Sequence, residues 1–387
     1  MTEIHPLLDE ERQLLARRYE REKRWLGLAS MSLSLIILVA FYASGLSRWL
    51  AHRECGPLIL TFGVYLFALQ AVSILLSLPL RFYSGYIHEH RWNFSNHTTK
   101  SWLWEQAKSS AVGFLLSLFL VGLLLWVMDL SPRFWWLISG LGMAVVGVFL
   151  ATIFPVAILP LFNKYTPVEN RELTDSLRRI LSKGGLKSSG FFKEDTSRQT
   201  KKENAFLAGL GKTRRVVLGD NLLENMSIPE IESIIAHEVG HYRHQHIWKN
   251  IALGTLQQVL VFFLVGVLMK AFFPPFLSSV RANLSLLPVF FILMGGVSGF
   301  LFTPLNQAIS RCFERKADLY ALHTIKNPGD FMKALAGLAD RNLSNAYPDW
   351  WIKILFYSHP PIGERLRMAE IFKKNKSRNL QKESFSS

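Results

Sequence analysis

Six stretches of this chain contain no Asp, Glu, Lys or Arg: residues 27–46, 56–80, 111–128, 134–163, 251–269 and 282–310. Each is at least ~18 residues long, enough to cross roughly 30 Å of hydrocarbon as a helix. A chain so built is an integral membrane protein, because it is too apolar for an ordinary soluble domain, with half of its 387 residues hydrophobic. The first stretch is not a cleaved secretory signal: it follows a charged lead of 26 residues and lacks an A-x-A-like site. Residues 1–26 themselves predict an amphipathic, charge-laced helix, solvated or lying at the interface.

A net charge of +15 raises the question of nucleic acid, but the distribution of the charge answers it differently. Arg12, Arg17, Arg18, Arg21, Lys23 and Arg24 precede the first span, while the next loop offers only Arg48 and Arg53. Arg81, Arg91, Lys100 and Lys108 follow the second span, and Arg133 stands alone after the third. Rich and poor loops alternate, the positive-inside pattern of a chain with a cytoplasmic N-terminus. Both large polar regions, 164–250 and 311–387, then share the cytoplasmic side. The basic residues set topology and favour anionic lipid heads rather than nucleic acid. The two cysteines, Cys55 and Cys312, fall on opposite sides of the bilayer, so no disulfide framework and no cysteine metal site is available.

The chemistry concentrates in Ala236-His237-Glu238-Val239-Gly240-His241. Positions i and i+4 share a helix face, so both imidazoles can reach one cation, with Glu238 beside it to take a proton from the attacking water. Helix is what the surroundings predict. Ser227-Ile228-Pro229-Glu230 reads as a capping box, and Ile228, Ile231, Ile235, Val239 and Tyr242 recur as an apolar stripe on the side away from the histidines. Upstream, Leu173 to Leu181 is helical in pattern, Arg214 to Gly219 is a short β-type run, and the Gly-, Ser- and Lys-rich segment from Lys183 to Lys202 reads as a loop or mobile hairpin.

A third ligand must come from elsewhere. The hairpin formed by spans five and six returns residues 311–387 to the same membrane face, and Glu314 and Asp318, four apart, share one side of a helix leaving span six. A carboxylate ligand with a second carboxylate orienting a ligating imidazole is a common zinc-site construction. Taken without the histidine motif, the same two residues read as a solvated helical face.

Together these residues resemble the type-1 CAAX prenyl endopeptidase family of integral-membrane zinc metalloproteases. His237-Glu238-Val239-Gly240-His241 is similar to the family's zinc helix, and Glu314 with Asp318 to its Glu-x-x-x-Asp element. Further similarity lies in Leu161 to Pro167, in Gly85-Tyr86 with His88 to Arg91, in Asn204 to Leu218, and in Ser358-His359-Pro360-Pro361 with Arg365. The resemblance implies that His237, His241 and Glu314 bind Zn2+, that Glu238 is the general base and that Asp318 holds a ligating histidine. It implies too that Asn204 and Ala205 contact the backbone of an extended peptide, and that His359 and Arg365 approach the scissile carbonyl or fix the site. His244, His246, His88, His90 and His97 receive no ligand role.

The expected architecture is mainly α: about six transmembrane helices with a cytoplasmic zinc-protease domain containing a small β element. Its divisions are 1–26, a membrane block over 27–163, a first protease part over 164–250, a transmembrane hairpin over 251–310 and a second protease part over 311–387. Eukaryotic family members are usually described with seven spans; six here suggests a shorter, bacterial relative in the inner membrane, lacking the first helix. The expected function is hydrolysis of peptide bonds in a peptide or protein substrate, with a prenylated C-terminus as one candidate. Two rivals remain at this stage: a heat-shock-type protease of membrane quality control, and a six-span transporter or scaffold with an inactive metal site. No span carries an ionisable residue away from its margins, which speaks against an ion pathway.

Overall fold

The structure is a computed structural model and describes residues 4–53, 57–187 and 190–386. Cys55 lies outside the described residues, and Cys312 is free. The membrane block comprises α1 (Glu10–Ala43), α2 (Leu46–His52), α3 (Leu58–Phe82) running through a π turn into α4 (His88–Arg91), α5 (Thr99–Leu130) and α6 (Trp135–Ile153). Next come β1 (Tyr165–Pro167), α7 (Arg171–Lys183), β2 (Phe191–Glu194), β3 (Ala205–Ala208), β4 (Arg215–Gly219), α8 (Asp220–Asn225) and α9 (Ile228–Arg243). The chain then continues through α10 (His246–Phe272), α11 (Val280–Ser285), α12 (Leu287–Thr324), α13 (Pro328–Arg341), α14 (Trp350–Phe356) and α15 (Ile362–Ser386). Among the described residues six helices are long and apolar enough to cross a membrane, one for each uncharged stretch.

The membrane bundle is packed by aromatic rings and close backbone approach. Trp135 is enclosed by Phe262, Phe276 and Phe290, with ring centroids 5.6, 5.8 and 6.0 Å away. The fourth span does not run as one α-helix to residue 163. Pro155 and Pro160 each lack an N–H, and the chain passes through a π turn at Phe154–Ile158 and a 3₁₀ turn at Leu159–Leu161. The sixth span likewise starts later than residue 282, because Leu286 separates α11 from α12.

Strands β2, β3 and β4 and helices α7, α8, α9, α13 and α15 share an apolar core separate from that of the bundle. Four strands form a sheet in the order β1-β2-β4-β3, with β2 parallel to β4 and the outer pairs antiparallel. The segment expected to be a loop or mobile hairpin therefore carries β2, an inner strand of the sheet; Phe191 is its buried anchor. Against the sheet pack α7 and α9, joined by α13 and α15 in one apolar core that includes Leu177, Leu218, Ile235, Val239 and Leu366. The capping box of α9 forms as the sequence predicts, with the Ser227 N–H donating to the Glu230 carboxylate at 2.8 Å. Of the predicted stripe, Ile231, Ile235 and Val239 are buried, while Tyr242 is exposed under the Arg214 guanidinium.

The N-terminal lead packs one face against the polar end of the molecule and exposes the rest, including Arg12, Leu14, Arg17, Arg18 and Arg21. From Glu10 onward it is the first part of α1, whose buried face there is Gln13, Ala16 and Tyr19. Gln13 donates to Asp340 at 3.0 Å and accepts from the Ala346 N–H at 3.0 Å. Tyr19 donates to Glu89 at 2.7 Å, and Lys202 donates to that Tyr19 hydroxyl at 2.6 Å. Helix α1 is thus a strut running from the polar end of the molecule into the bundle.

Candidate metal centre and substrate groove

Two helices far apart in sequence build the centre. Helix α9 presents His237 and His241 one turn apart, and α12 presents Glu314 and Asp318 one turn apart where it leaves the bundle. The helices can approach because residue 240 is glycine: a β-carbon there would stand 2.9 Å from both Cα and O of Ala317. His237 Nε2 and His241 Nε2 lie 3.1 Å apart. Glu314 meets them with one oxygen each, Oε2 3.3 Å from His237 and Oε1 3.2 Å from His241. Donor atoms of the three residues all lie within 4.8 Å of one another.

Two features fit a divalent cation at this point. Imidazole nitrogens facing each other this closely repel unless a proton or a metal lies between them, and Glu314 Oε2 is buried without a hydrogen-bond partner among the described residues. The donor set, two imidazoles and a carboxylate, suits zinc and leaves a coordination position open. The local field points the same way. Burial pushes His237 down, but the Asp318 and Glu314 carboxylates outweigh it and hold its pKa up, at about 9. A cavity that favours an extra proton so strongly favours a cation.

Around the donors stands a second layer. Asp318 Oδ1 is 2.7 Å from His237 Nδ1, and Arg365 from α15 donates to both Asp318 oxygens, from Nε at 2.8 Å. Arg365 therefore pairs with the carboxylate behind the donors. His359 Nε2 lies 3.3 Å from Glu314 Oε1, with more than half of its side chain exposed. It is set there by Arg311, which donates to the carbonyls of Lys353 (2.9 Å) and Tyr357 (2.8 Å) and so fixes the strand of chain leading into it.

A cavity of about 240 Å³ opens beside these groups, lined by His237, Glu238, His359 and Arg365 together with Asn204 and Ala205. Its floor is apolar, with Ile234, Phe331, Leu335 and Leu338. A neighbouring groove of about 480 Å³ shares His359 and Arg365 and is bounded by Glu20, Lys23 and Arg24 of α1. Strand β3 is the end of the sheet, so its outer edge faces this space. The Asn342 side chain accepts from the Glu203 N–H and donates to its carbonyl, both at 3.0 Å, and thereby holds the residue before Asn204 extended.

All nine residues singled out in the sequence line or border this one region. Among the described residues the arrangement also includes one that sequence reasoning passed over: His246, buried, with Nδ1 2.9 Å from Nδ1 of His241. Its proximity depends on Gln245, whose left-handed backbone (φ 55°) turns the chain between α9 and α10. The other histidines set aside stay out of the donor set. His90 and His97 bond to backbone or to serine, His88 faces Glu22, and His244 stacks on His246.

A multi-span helical bundle carrying an H-E-x-x-H helix, a carboxylate on a second helix and an open strand edge defines a membrane-embedded metallopeptidase. The chain belongs to peptidase family M48: residues 167–371 match that family, and residues 2–164 match the CAAX prenyl protease N-terminal domain, described as five membrane helices. Four of the six membrane-length helices fall in that matched segment. CAAX prenyl protease 1 of Saccharomyces cerevisiae is 31% identical over 330 residues, covering 81% of this chain and 72% of the yeast protein. An uncharacterized metalloprotease of Bacillus subtilis, YhfN, is 29% identical and covers 92% and 85% of the two chains. The crystal structure of S. mikatae Ste24p superposes with a TM-score of 0.82 at 26% identity, over 94% of this chain and 90% of that one. The protein is a membrane endopeptidase of a metal-dependent family, and the transporter or scaffold reading falls with that membership.

Proposed function

We propose that the chain holds one zinc ion between His237, His241 and Glu314 and uses it to cut peptide bonds in proteins presented at the cytoplasmic face of a bacterial inner membrane. The observation that carries this reading is the convergence of the three donors on one point, 3.1 to 3.3 Å apart pairwise. A zinc ion there supplies Lewis-acid polarisation of the scissile carbonyl and makes water a nucleophile at neutral pH.

The protein's own groups do the rest. Glu238 takes the proton of the attacking water and later passes it to the leaving amine. Asp318 accepts from His237 Nδ1–H, which leaves the Nε2 lone pair directed at the donor cluster. Arg365 balances the charge of Asp318 and locks it. His359, beside Glu314 and open to the cavity, donates to the oxyanion that develops on the substrate. The substrate backbone pairs with the outer edge of β3 from Asn204 and Ala205, and an apolar side chain next to the cut enters the pocket floored by Phe331 and Leu335.

The machinery is split, with 164–250 and 311–387 as two protease parts around the hairpin 251–310. The cytoplasmic orientation is supported by the alternation of basic loops. A prenylated C-terminus as substrate is supported by the names of the relatives, CAAX prenyl protease 1 in yeast and CAAX prenyl protease 1 homolog in human and Arabidopsis thaliana. These names favour it over a quality-control protease.

Glu238→Gln should retain zinc and lose peptidase activity by ~100- to 10,000-fold, the range of a lost general base. His237→Ala should lose both. A fully active Glu238→Gln variant ends the assignment. Incubation with a prenylated CAAX peptide, its unprenylated twin and an unfolded membrane protein, with and without chelator, separates the substrate readings; cleavage of only the last removes the prenyl substrate.

A further inference from the structure

His246 has no part in the mechanism above, yet it is buried against a group that does. We propose that His246 is the hydrogen-bond acceptor that fixes the tautomer and ring orientation of His241, so that it positions a metal ligand without touching the metal. The proposal rests on the zinc reading above.

The argument follows from the proton count on two rings. His241 Nε2 faces His237 Nε2 at 3.1 Å and Glu314 Oε1 at 3.2 Å, so a metal at that point requires the Nε2 lone pair. The proton of neutral His241 then sits on Nδ1. Nδ1 points at Nδ1 of His246, 2.9 Å away. His246 can accept there only as the Nε2–H tautomer, and its Nε2 is buried with no hydrogen-bond partner among the described residues. An apolar ring would fill this space without stranding a polar atom, so a histidine here answers a need of its neighbour.

The surroundings hold the acceptor still. The His246 ring lies flat on Phe313, with centroids 4.2 Å apart and planes 8° from parallel. Phe313 precedes Glu314 in α12, so one helix supplies both a metal donor and the plate on which the acceptor rests. An unbroken helix would carry residue 246 five positions beyond His241 and away from its face. The left-handed Gln245, φ 55°, brings it back, a backbone state that is uncommon outside glycine. The two ligating imidazoles are therefore held differently: His237 by a carboxylate, His241 by a neutral ring.

The test uses the full-length chain in detergent and reads zinc affinity by competition with a chromophoric chelator, alongside thermal unfolding of the metal-free protein. His246→Phe keeps a flat ring on Phe313 and removes the acceptor; His246→Asn restores a carbonyl oxygen near the place of Nδ1. We expect His246→Phe to weaken zinc binding ~10- to 100-fold with little change in metal-free stability, the usual effect of losing an outer partner, and His246→Asn to recover most of the loss. Wild-type affinity in His246→Phe overturns the proposal, as does an equal loss in both variants, which would assign the effect to packing. Should His246→Phe not fold, His246→Leu takes its place in the same comparison. A wild-type chain that takes up no zinc defeats the metal reading and the proposal together, whereas one that binds zinc no better than His246→Phe defeats the proposal alone.

Discussion

Two helix pairs in this molecule are pressed together by the same device for different ends. Helix α9 meets α12 at Gly240, where an added β-carbon would stand 2.9 Å from the Ala317 backbone. Helix α6 meets α10 at Gly140, where it would stand 2.4 Å from Val259 Cγ2 and 2.8 Å from its Cα. In the bilayer, lipid tails are as apolar as the helices, so close backbone contact and van der Waals packing are what hold α6 to α10. At the polar end the same closeness has a second product. It registers His237 of α9 against Glu314 and Asp318 of α12 to within hydrogen-bonding distance. Close approach is generic; a site arises where polar groups on the two partners flank it, and there a small displacement has chemical consequences.

The largest effect should come from the charge that stabilises the polar pair. Arg365 and Asp318 are both buried, and Arg365→Gln leaves the carboxylate with His237 as its one remaining side-chain partner among the described residues. Removing one member of such a pair costs about 3–5 kcal/mol. Thermal unfolding should show this, and zinc affinity should fall with it, while Arg365→Lys recovers part of both. An Arg365→Gln variant with wild-type stability would mean that Asp318 is held by the helix contact alone. Next comes Gly240→Ala. Overpacking costs about 1–3 kcal/mol, offset by about 1 kcal/mol of helix propensity, so the fold survives. Zinc affinity should still drop at least ~10-fold, as expected when the groups supporting a metal site are displaced.

Much of the polar pair was legible in the sequence because its signals are local. The i, i+4 histidines, the capping box at Ser227 and the uncharged stretches are each contained within one element. What escaped is non-local or chemically disguised. Strand β2 is only four residues, Phe191–Glu194, inside a Gly-, Ser- and Lys-rich segment, and its parallel partner β4 lies beyond another strand. The tertiary contact of α1 could not be read because the face it buries is Gln13, Ala16 and Tyr19, a glutamine, a small residue and a tyrosine in place of an apolar stripe. His246 depends on the reversal at Gln245, which no propensity announces. Arg365 could be placed near the centre only by family resemblance, since its partner Asp318 is 47 residues away on another helix.

Gly140→Ala supplies the counterpart in the bilayer. The same overpacking and propensity terms apply, so up to about 2 kcal/mol of stability should be lost. Zinc affinity and kcat should stay at wild-type levels, because no donor lies on α6 and the first residues of α10 are a long way along the helix from Val259. Equal zinc loss in Gly140→Ala and Gly240→Ala would break the comparison and make the bundle a single mechanical unit with the site.

Helix α1 belongs to both regions and gives the smallest and most discriminating test. Its polar end is tied down by Gln13, which bridges Asp340 and the Ala346 N–H, and its other end continues into the bilayer as a span. Gln13→Leu strands the buried Ala346 N–H, a loss of about 1–3 kcal/mol, and regains part of it through burial of the leucine side chain, leaving a net effect of about 1 kcal/mol. The change should appear as faster proteolysis between α1 and the rest of the polar end, with zinc content unchanged. A solvated lead would show neither a stability change nor a change in cleavage, and that result would return residues 1–26 to the periphery. A loss of zinc with Gln13→Leu would be the more consequential surprise, since it would extend the mechanically coupled region from the α9–α12 contact through α13 into the first transmembrane helix.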